Sequence, residues 1–261
     1  CRNRHCPKCQ SSKQAAWVED VSNRIIDTKY FHLVFTVPQE LNSICLLNSS
    51  GFYNALFSSV WQTLRSFGYS DYGTEIGALA ILHTWGQNLQ LHPHLHCIVP
   101  GGGVKENGDW KLSKNKGNFL FPVKEMSKVF RAKFVANLRK KQKGLPQSLY
   151  DNLFKKNWVV YAKKAFVKPE YVIEYLGRYS HKIAISNHRI LGIDNKNKTV
   201  TFSLKNYKKQ GQKEILTLTQ KEFVRRFSLH ILPKGFTRIR HYGILSGTWK
   251  KKHLQALQEQ L

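Results

Sequence analysis

The sequence lacks several features that define common classes of protein. The sequence contains no run of about 18 apolar residues, the length needed to span a membrane, and it does not begin with a signal-peptide pattern. Cysteine is scarce, with five in 261 residues, and the spacing is not that of a secreted disulfide framework. The glycine triplet at 101–103 predicts a turn, and it is not a nucleotide phosphate loop, because it lacks that motif's pattern. We therefore expect a cytoplasmic protein without an ATPase module.

Acidic residues are also few. The chain has 16 Asp and Glu against 42 Lys and Arg, which gives a formal net charge of +26. A charge of this size predicts a polyanionic partner, and without a membrane anchor nucleic acid is favoured over a lipid surface. Aromatic residues make up 12% of the sequence and could stack on the bases of a single strand, although we expect most of them in the core.

The most informative motif is His94-Leu95-His96. Successive side chains of a strand point to opposite faces, so the two histidines share one face, roughly 6.6 Å apart along the strand. Two imidazoles in this position can hold one divalent metal ion. Residues 80–85 predict a preceding strand, and in a symmetric hairpin His83 lies opposite His94 as a third ligand. The alternative is structural, since a histidine on a strand is usually a half-buried, hydrogen-bonded residue.

A tyrosine-rich segment follows about eighty residues later. Residues 171–181 predict a helix, because a proline and a glutamate precede them. Tyr171, Tyr175 and Tyr179 recur every four residues and would line one face of that helix. Such a stripe more often packs in a core. Beside a metal, however, a tyrosine can cut and rejoin a phosphodiester, since the metal neutralises the phosphate that the phenol attacks.

Four blocks of the sequence together resemble the two-tyrosine rolling-circle transposases of insertion-sequence family ninety-one. In chain order they are CRNRHCPKCQ, HTWGQNLQLHPHLHCIVPGGG, EYLGRYSHKIAISNHRI and LPKGFTRIRHYGIL. The resemblance implies that Tyr175 and Tyr179 are the paired nucleophiles. It also implies that His94 and His96 are the metal ligands of the HUH motif, in which U is a hydrophobic residue. Tyr171 lies outside the family pattern.

The third metal ligand has two candidates. His83 follows from the hairpin geometry and is similar to a histidine of conjugative relaxases that completes a three-histidine site. Gln87 is the alternative. The identity of the metal also has alternatives, because imidazole ligands alone favour zinc or manganese, whereas the resemblance implies magnesium or manganese.

The N-terminal cysteines predict a zinc site. Cys6 and Cys9 form a C-x-x-C knuckle, and Cys1 adds a third ligand, whereas His5 would be strained beside Cys6 at one tetrahedral zinc. The resembling family has further cysteines upstream, so we expect only the remnant of a zinc-binding module in a chain that starts at Cys1. The two remaining cysteines are expected to be buried apolar thiols: Cys45 and Cys97.

The resemblance implies an α+β HUH nuclease fold, with a mainly antiparallel central sheet flanked by helices. We divide the chain into the end of a zinc-binding module at 1–10, a connecting helix at 11–28 and the catalytic domain at 29–261. Residues 30–37 are strongly β-prone and are expected beside the histidine strand. Other elements are predicted from periodicity: helices at 11–26, 41–67, 124–143 and 221–232, strands at 158–161, 183–185 and 199–204, and a turn at 194–197.

Basic residues near the tyrosines and in the last block are candidates for holding DNA phosphates, with structural salt bridges as the alternative. They are Arg178, Lys182, Arg189, Arg238 and Arg240. The resemblance implies single-stranded DNA at element ends and target DNA as substrates, with host helicase and replication proteins as partners in a bacterial cytoplasm. Two other functions fit the residues: a replication initiator or relaxase with the same chemistry, and a non-catalytic zinc and nucleic-acid-binding protein.

Overall fold

A five-stranded antiparallel sheet forms the centre of the computed structural model, which describes residues 6–22, 25–166, 171, 172, 175, 177, 183–206 and 209–261. Its strand order is β10-β2-β3-β1-β6. The strands are β1 (Tyr30–Thr36), β2 (Gly77–Trp85), β3 (Leu91–Pro100), β6 (Val160–Ala162) and β10 (Ile239–Gly243). β3 lies in the middle of the sheet, beside β1, as the β-prone run at 30–37 predicts.

The two faces of this sheet carry different residues, because side chains alternate along each strand. On one face, residues such as Leu33, Leu95 and Ala80 belong to the larger apolar core. This core includes residues of α3 (Ser49–Phe67) and α5 (Val123–Lys141), the two long helices that cover the face. The opposite face carries the histidines, together with a smaller apolar cluster.

Further helices complete the layers around the sheet. They are α1 (Pro7–Ser22), α2 (Asn42–Leu47), the short segment α4 (Lys114–Gly117), α6 (Gln147–Lys155), α7 (Gln220–Ser228) and α8 (Gly247–Gln258). Leu257 of α8 and Val172 of the tyrosine segment pack in the smaller cluster, on the histidine face. Among the described residues, no helix combines the length and the apolar character that a membrane crossing requires.

A second, three-stranded antiparallel sheet lies near the turn between β2 and β3. It consists of β7 (Ile190–Asp194), β8 (Thr199–Asn206) and β9 (Gln212–Thr219), and α7 follows it directly. Leu89 of the turn shares an apolar cluster with Phe202 of β8. This cluster fixes the small sheet as one wall beside the histidine strands.

Several local predictions need correction. Residues 101–103 are not a turn, because Gly102–Val104 forms β4, which pairs with β5 (Trp110–Leu112). A Cβ at either of its glycines would collide with Trp110 or Thr74, so glycine serves close packing here. Residues 183–185 are a bend rather than a strand, and their apolar side chains are buried instead.

The predicted helix boundaries also shift. The first helix runs from Pro7 to Ser22, across the predicted division at residue 10, and the helix after β9 ends at Ser228. The helical region at 41–67 breaks at Asn48, whose side chain accepts a hydrogen bond from Gly51 and caps α3. The α+β architecture with a mainly antiparallel central sheet is confirmed.

Candidate metal centre and tyrosine site

Three histidines converge on one face of the central sheet. His83 of β2 is paired directly with His94 of β3, which confirms the predicted hairpin register, and His96 follows two residues later. One ring nitrogen from each residue lies within 4.8 Å of the others. His83 and His96 are buried, and His94 is half-buried. Three imidazoles at this spacing fit a divalent metal site.

Hydrogen bonds orient two of these rings. Nδ1 of His94 lies 2.7 Å from the carbonyl oxygen of His92, and Nδ1 of His96 lies 2.8 Å from Nε2 of His32. An imidazole that donates through Nδ1 keeps a lone pair on Nε2, which is the atom then available to a metal. His83 is held differently, because its ring stacks on Trp85 with centroids 4.7 Å apart. The three ligand rings are therefore held in place by the protein.

His32 is a fourth histidine of this cluster that the sequence analysis missed. It lies on β1, diagonal to His96, and the two rings are nearly coplanar and meet edge to edge, with centroids 5.0 Å apart and an interplanar angle of 7°. The side chain is only 3% exposed. Burial, with a smaller contribution from the charge of Lys163, lowers the pKa of His32 to about 4. The sequence feature that could have identified His32 as a site residue is its position inside the otherwise apolar run at 30–36.

Tyr175 lies next to this cluster. Its hydroxyl oxygen is 3.2 Å from Nδ1 of His32, and the two rings meet edge to face. Nζ of Lys163 lies 4.8 Å from the centre of the Tyr175 ring. Tyr175 is half-buried, whereas Tyr171 of the same segment is 55% exposed. Of the two tyrosines of this stripe that the structure describes, Tyr175 contacts the histidines and Tyr171 is exposed.

Other predicted site residues lie outside the described part of the chain. They are Cys1, Arg178, Tyr179 and Lys182. The role of Tyr179 as the second nucleophile therefore stays a prediction from the family pattern.

Two of the predicted DNA-contacting arginines have structural partners. Arg189 donates to the carbonyl oxygens of Ser203, at 2.9 Å, and Gln87, at 2.6 Å, so it ties the β2–β3 turn to β8. Arg240 donates to Asn54 at 2.6 Å and lies over the ring of Phe57. Packing and hydrogen bonds to backbone and side-chain oxygens thus engage both guanidinium groups.

Two cavities lie near these residues. Arg238 lines a small cavity of about 270 Å³ beside Trp85. A larger groove of about 1260 Å³ opens over His83, His94 and His96. Polar groups from the β2–β3 turn, β8 and α7 line it: Gln87, Asn88, Lys205, Asn206, Arg225 and Arg226. Arg225 and Arg226 are both paired with Glu222, so Lys205 and these two arginines give the groove a positive side beside the candidate metal centre that is partly neutralised.

The cysteines fall into two groups. Cys6 and Cys9 lie at the start of α1 and are partly exposed. Cys45 and Cys97 are buried in the larger core, as predicted. Burial raises the pKa of Cys45 to about 11, which is consistent with an apolar thiol that keeps its proton.

Comparison with known proteins identifies the family. A sequence profile described as "Putative transposase" matches residues 77–253, and a profile described as "Transposase zinc-binding domain" matches residues 1–37. The putative transposase y4qJ of Sinorhizobium fredii is 40% identical over 279 residues, across 100% of this chain and 69% of the relative. The transposase for insertion sequence element IS801 of Pseudomonas savastanoi pv. phaseolicola is 28% identical, across 100% of this chain and 65% of the relative.

Among solved structures, the relaxase TrwC complexed with a 27-mer DNA has 16% identity and a TM-score of 0.34, over 44% of this chain and 46% of that one. A TM-score below 0.5 leaves this likeness too weak to support an assignment. The profile at 77–253 covers more than half of the chain, and the identity of 40% extends over its full length. The chain therefore belongs to the transposase family of insertion-sequence type ninety-one, as its sequence motifs indicate.

Proposed function

We propose that this transposase cleaves and rejoins single-stranded DNA at insertion-sequence ends, with Tyr175 and Tyr179 as the nucleophiles of rolling-circle transposition. The contact between the Tyr175 hydroxyl and His32, which itself contacts His96, carries the proposal. It links the candidate nucleophile to the candidate metal centre through one side chain. A tyrosine that only packed in the core would not need that connection.

His83, His94 and His96 would hold the divalent metal. When bound, a metal at this centre would neutralise charge on the scissile phosphate and so assist attack by a phenol. The donor set favours manganese or zinc, and the family resemblance favours manganese or magnesium, so manganese satisfies both. At the N-terminus, we propose zinc on Cys6 and Cys9, together with Cys1.

The chain's own residues would then carry out the transfer. The phenol oxygen forms a bond to phosphorus as the bond from phosphorus to the 3′ oxygen breaks. The phenol proton leaves to solvent water, and the departing 3′ oxygen takes up a proton to give a free 3′-OH. The product is a 5′-phosphotyrosine, from which the same 3′-OH, or that of another strand, can reform the phosphodiester.

The groove cations would grip the strand. Lys205, Arg225 and Arg226 line the groove that opens over the histidines, and phosphates of any base sequence would contact Lys205 and compete with Glu222 for the two arginines. Two tyrosines would allow donor and target strands to be held in one site. Host helicase and replication proteins would supply the unpaired strand.

Covalent attachment tests the nucleophiles. Labelled single-stranded element ends are incubated with the protein and Mn²⁺, and a denaturation-resistant protein–DNA adduct is measured. We expect the Tyr175→Phe, Tyr179→Phe double variant to form none. Tyr171→Phe is the matched control and should retain the adduct, because Tyr171 lies on the same segment but is exposed. An adduct that persists in the double variant would refute the assignment.

The metal centre has its own test. A variant with both His94→Ala and His96→Ala should lose cleavage but keep most of its affinity for single-stranded DNA, since Lys and Arg contacts supply that affinity. Binding is measured by fluorescence anisotropy at fixed salt. Cleavage at the wild-type rate would exclude these two histidines as essential metal ligands.

A further inference from the structure

We infer that His32 is a positioning residue that joins the metal ligand His96 to the nucleophile Tyr175, an inference that rests on the proposed function. Three groups form a continuous line of contacts. Nδ1 of His96 lies 2.8 Å from Nε2 of His32, and Nδ1 of His32 lies 3.2 Å from the hydroxyl oxygen of Tyr175. Both distances are within the range of hydrogen bonds.

The surroundings of His32 keep its ring in this position. The ring is 3% exposed and is nearly coplanar with the ring of His96, with an interplanar angle of 7°. Its backbone is fixed on the other side, where the carbonyl oxygen of His32 accepts a hydrogen bond from the backbone of Lys163 at 2.9 Å. A polar ring in an apolar strand is costly to bury unless its nitrogens are satisfied, so both contacts have a structural reason to persist.

Only two proton arrangements satisfy this line of contacts when both imidazoles are neutral, because each then carries a single N–H. In the first, the Tyr175 hydroxyl donates to His32, His32 donates to Nδ1 of His96, and the remaining N–H of His96 is on Nε2. In the second, every hydrogen bond is reversed. Nδ1–H of His96 donates to His32, and Nδ1–H of His32 donates to the oxygen of Tyr175.

The two arrangements differ in their consequences for the reaction. If His96 is a ligand through Nε2, that nitrogen must keep its lone pair, so only the second arrangement is possible. The phenol oxygen of Tyr175 then accepts a hydrogen bond instead of donating one to His32. His32 then no longer accepts the phenol proton, and the N–H of His32 stabilises the charge that the oxygen gains when that proton leaves to water. His32 thus transmits the state of the metal centre to the nucleophile.

Two substitutions separate the two contacts of His32. The amide of glutamine reaches the position of Nε2, so His32→Gln keeps an acceptor for His96 and loses the donor to Tyr175. The shorter amide of asparagine reaches the position of Nδ1, so His32→Asn keeps a donor to Tyr175 and loses the acceptor for His96. His188→Gln, at an exposed histidine, is the matched control.

Each variant is measured twice. The Mn²⁺ dissociation constant is obtained by electron paramagnetic resonance without DNA, and the rate of adduct formation is obtained at saturating Mn²⁺. We expect His32→Asn to weaken Mn²⁺ binding roughly 10- to 100-fold, as expected when an outer partner of a ligand is lost, with a smaller effect on the saturated rate. We expect His32→Gln to slow the saturated rate roughly 10- to 100-fold at near wild-type Mn²⁺ affinity.

Equal effects of both variants on both quantities, or no effect of either, would overturn the inference and leave His32 as a packing residue. If wild-type protein forms no adduct, the proposed function fails, but the order of Mn²⁺ affinities still tests the link between His32 and His96. A measurement on the wild-type protein tests the inference even if one of the variants does not fold. In protein with ¹⁵N-labelled histidine and Zn²⁺, the proton of His32 is expected on Nδ1, and a proton on Nε2 would refute the inference.

Discussion

Replacement of His83 by alanine gives the most direct test of the third metal ligand. His83 is 3% exposed, lies opposite His94 in the hairpin, and stacks on Trp85. Gln87 lies in the turn beyond β2 and lines the same groove. The two residues therefore line the same groove but lie on different structural elements.

The size of the effect follows from the number of ligands. A four-ligand structural zinc site binds with about 10–16 kcal/mol, or about 3 kcal/mol for each ligand. Loss of one imidazole should thus weaken metal binding roughly 100-fold or more, since 1.4 kcal/mol corresponds to a factor of about ten. His83→Ala should show this loss, whereas Gln87→Ala should change the affinity by less than about threefold, because its effect would be confined to the turn.

The assay titrates Mn²⁺ and follows adduct formation with a single-stranded element end. His83→Ala should shift the curve to higher Mn²⁺, while its affinity for single-stranded DNA measured without metal stays near that of the wild type. Far-ultraviolet circular dichroism checks that the variant is folded. The opposite ranking, with Gln87→Ala severe and His83→Ala mild, would transfer the third-ligand role to Gln87.

Three further results are expected. If the protein contacts about six phosphates of single-stranded DNA, a plot of log affinity against log salt concentration should have a slope near −4. Single-stranded DNA should be cleaved faster than relaxed duplex DNA of the same sequence, and equal rates would contradict the rolling-circle chemistry. In folded protein, iodoacetamide should modify Cys6 and Cys9 but not buried Cys45 and Cys97. Bound zinc should slow the modification of Cys6 and Cys9, as measured by mass spectrometry. An unchanged rate with zinc would argue against the zinc site. Phe130→Ala should lower the free energy of unfolding in urea by roughly 3–5 kcal/mol, because the ring is 0% exposed. A decrease of less than about 1 kcal/mol would contradict the place of Phe130 in the core.

Strand periodicity alone was enough to predict the centre of the site. Residues two apart on a strand must share a face, so His94 and His96 could be grouped without a structure. The short connection to the preceding strand limited the possible registers, and the predicted pairing of His83 with His94 is confirmed. The motifs also predicted the family, because they recur in order along the whole chain.

Local patterns failed where packing between distant segments decides the structure. The glycines at 102 and 103 were predicted as a turn, but close approach of Trp110 and Thr74 makes them a strand. The apolar residues at 183–185 were predicted as a strand, yet they form a bend, and Ala184 and Ile185 pack in one cluster with Phe202. In both cases, burial against another part of the chain outweighs the local preference.

The sequence by itself determined the histidine pair, its hairpin partner, the positive charge and the family. Only the tertiary structure decided that His32 belongs to the same site, because 64 residues separate it from His96 and 143 residues separate it from Tyr175. Periodicity assigns residues to faces of one element, but it does not fix which strands become neighbours. That order comes from the pairing of β1 with β3 and from packing of the tyrosine segment on the histidine face, both of which depend on the whole folded chain.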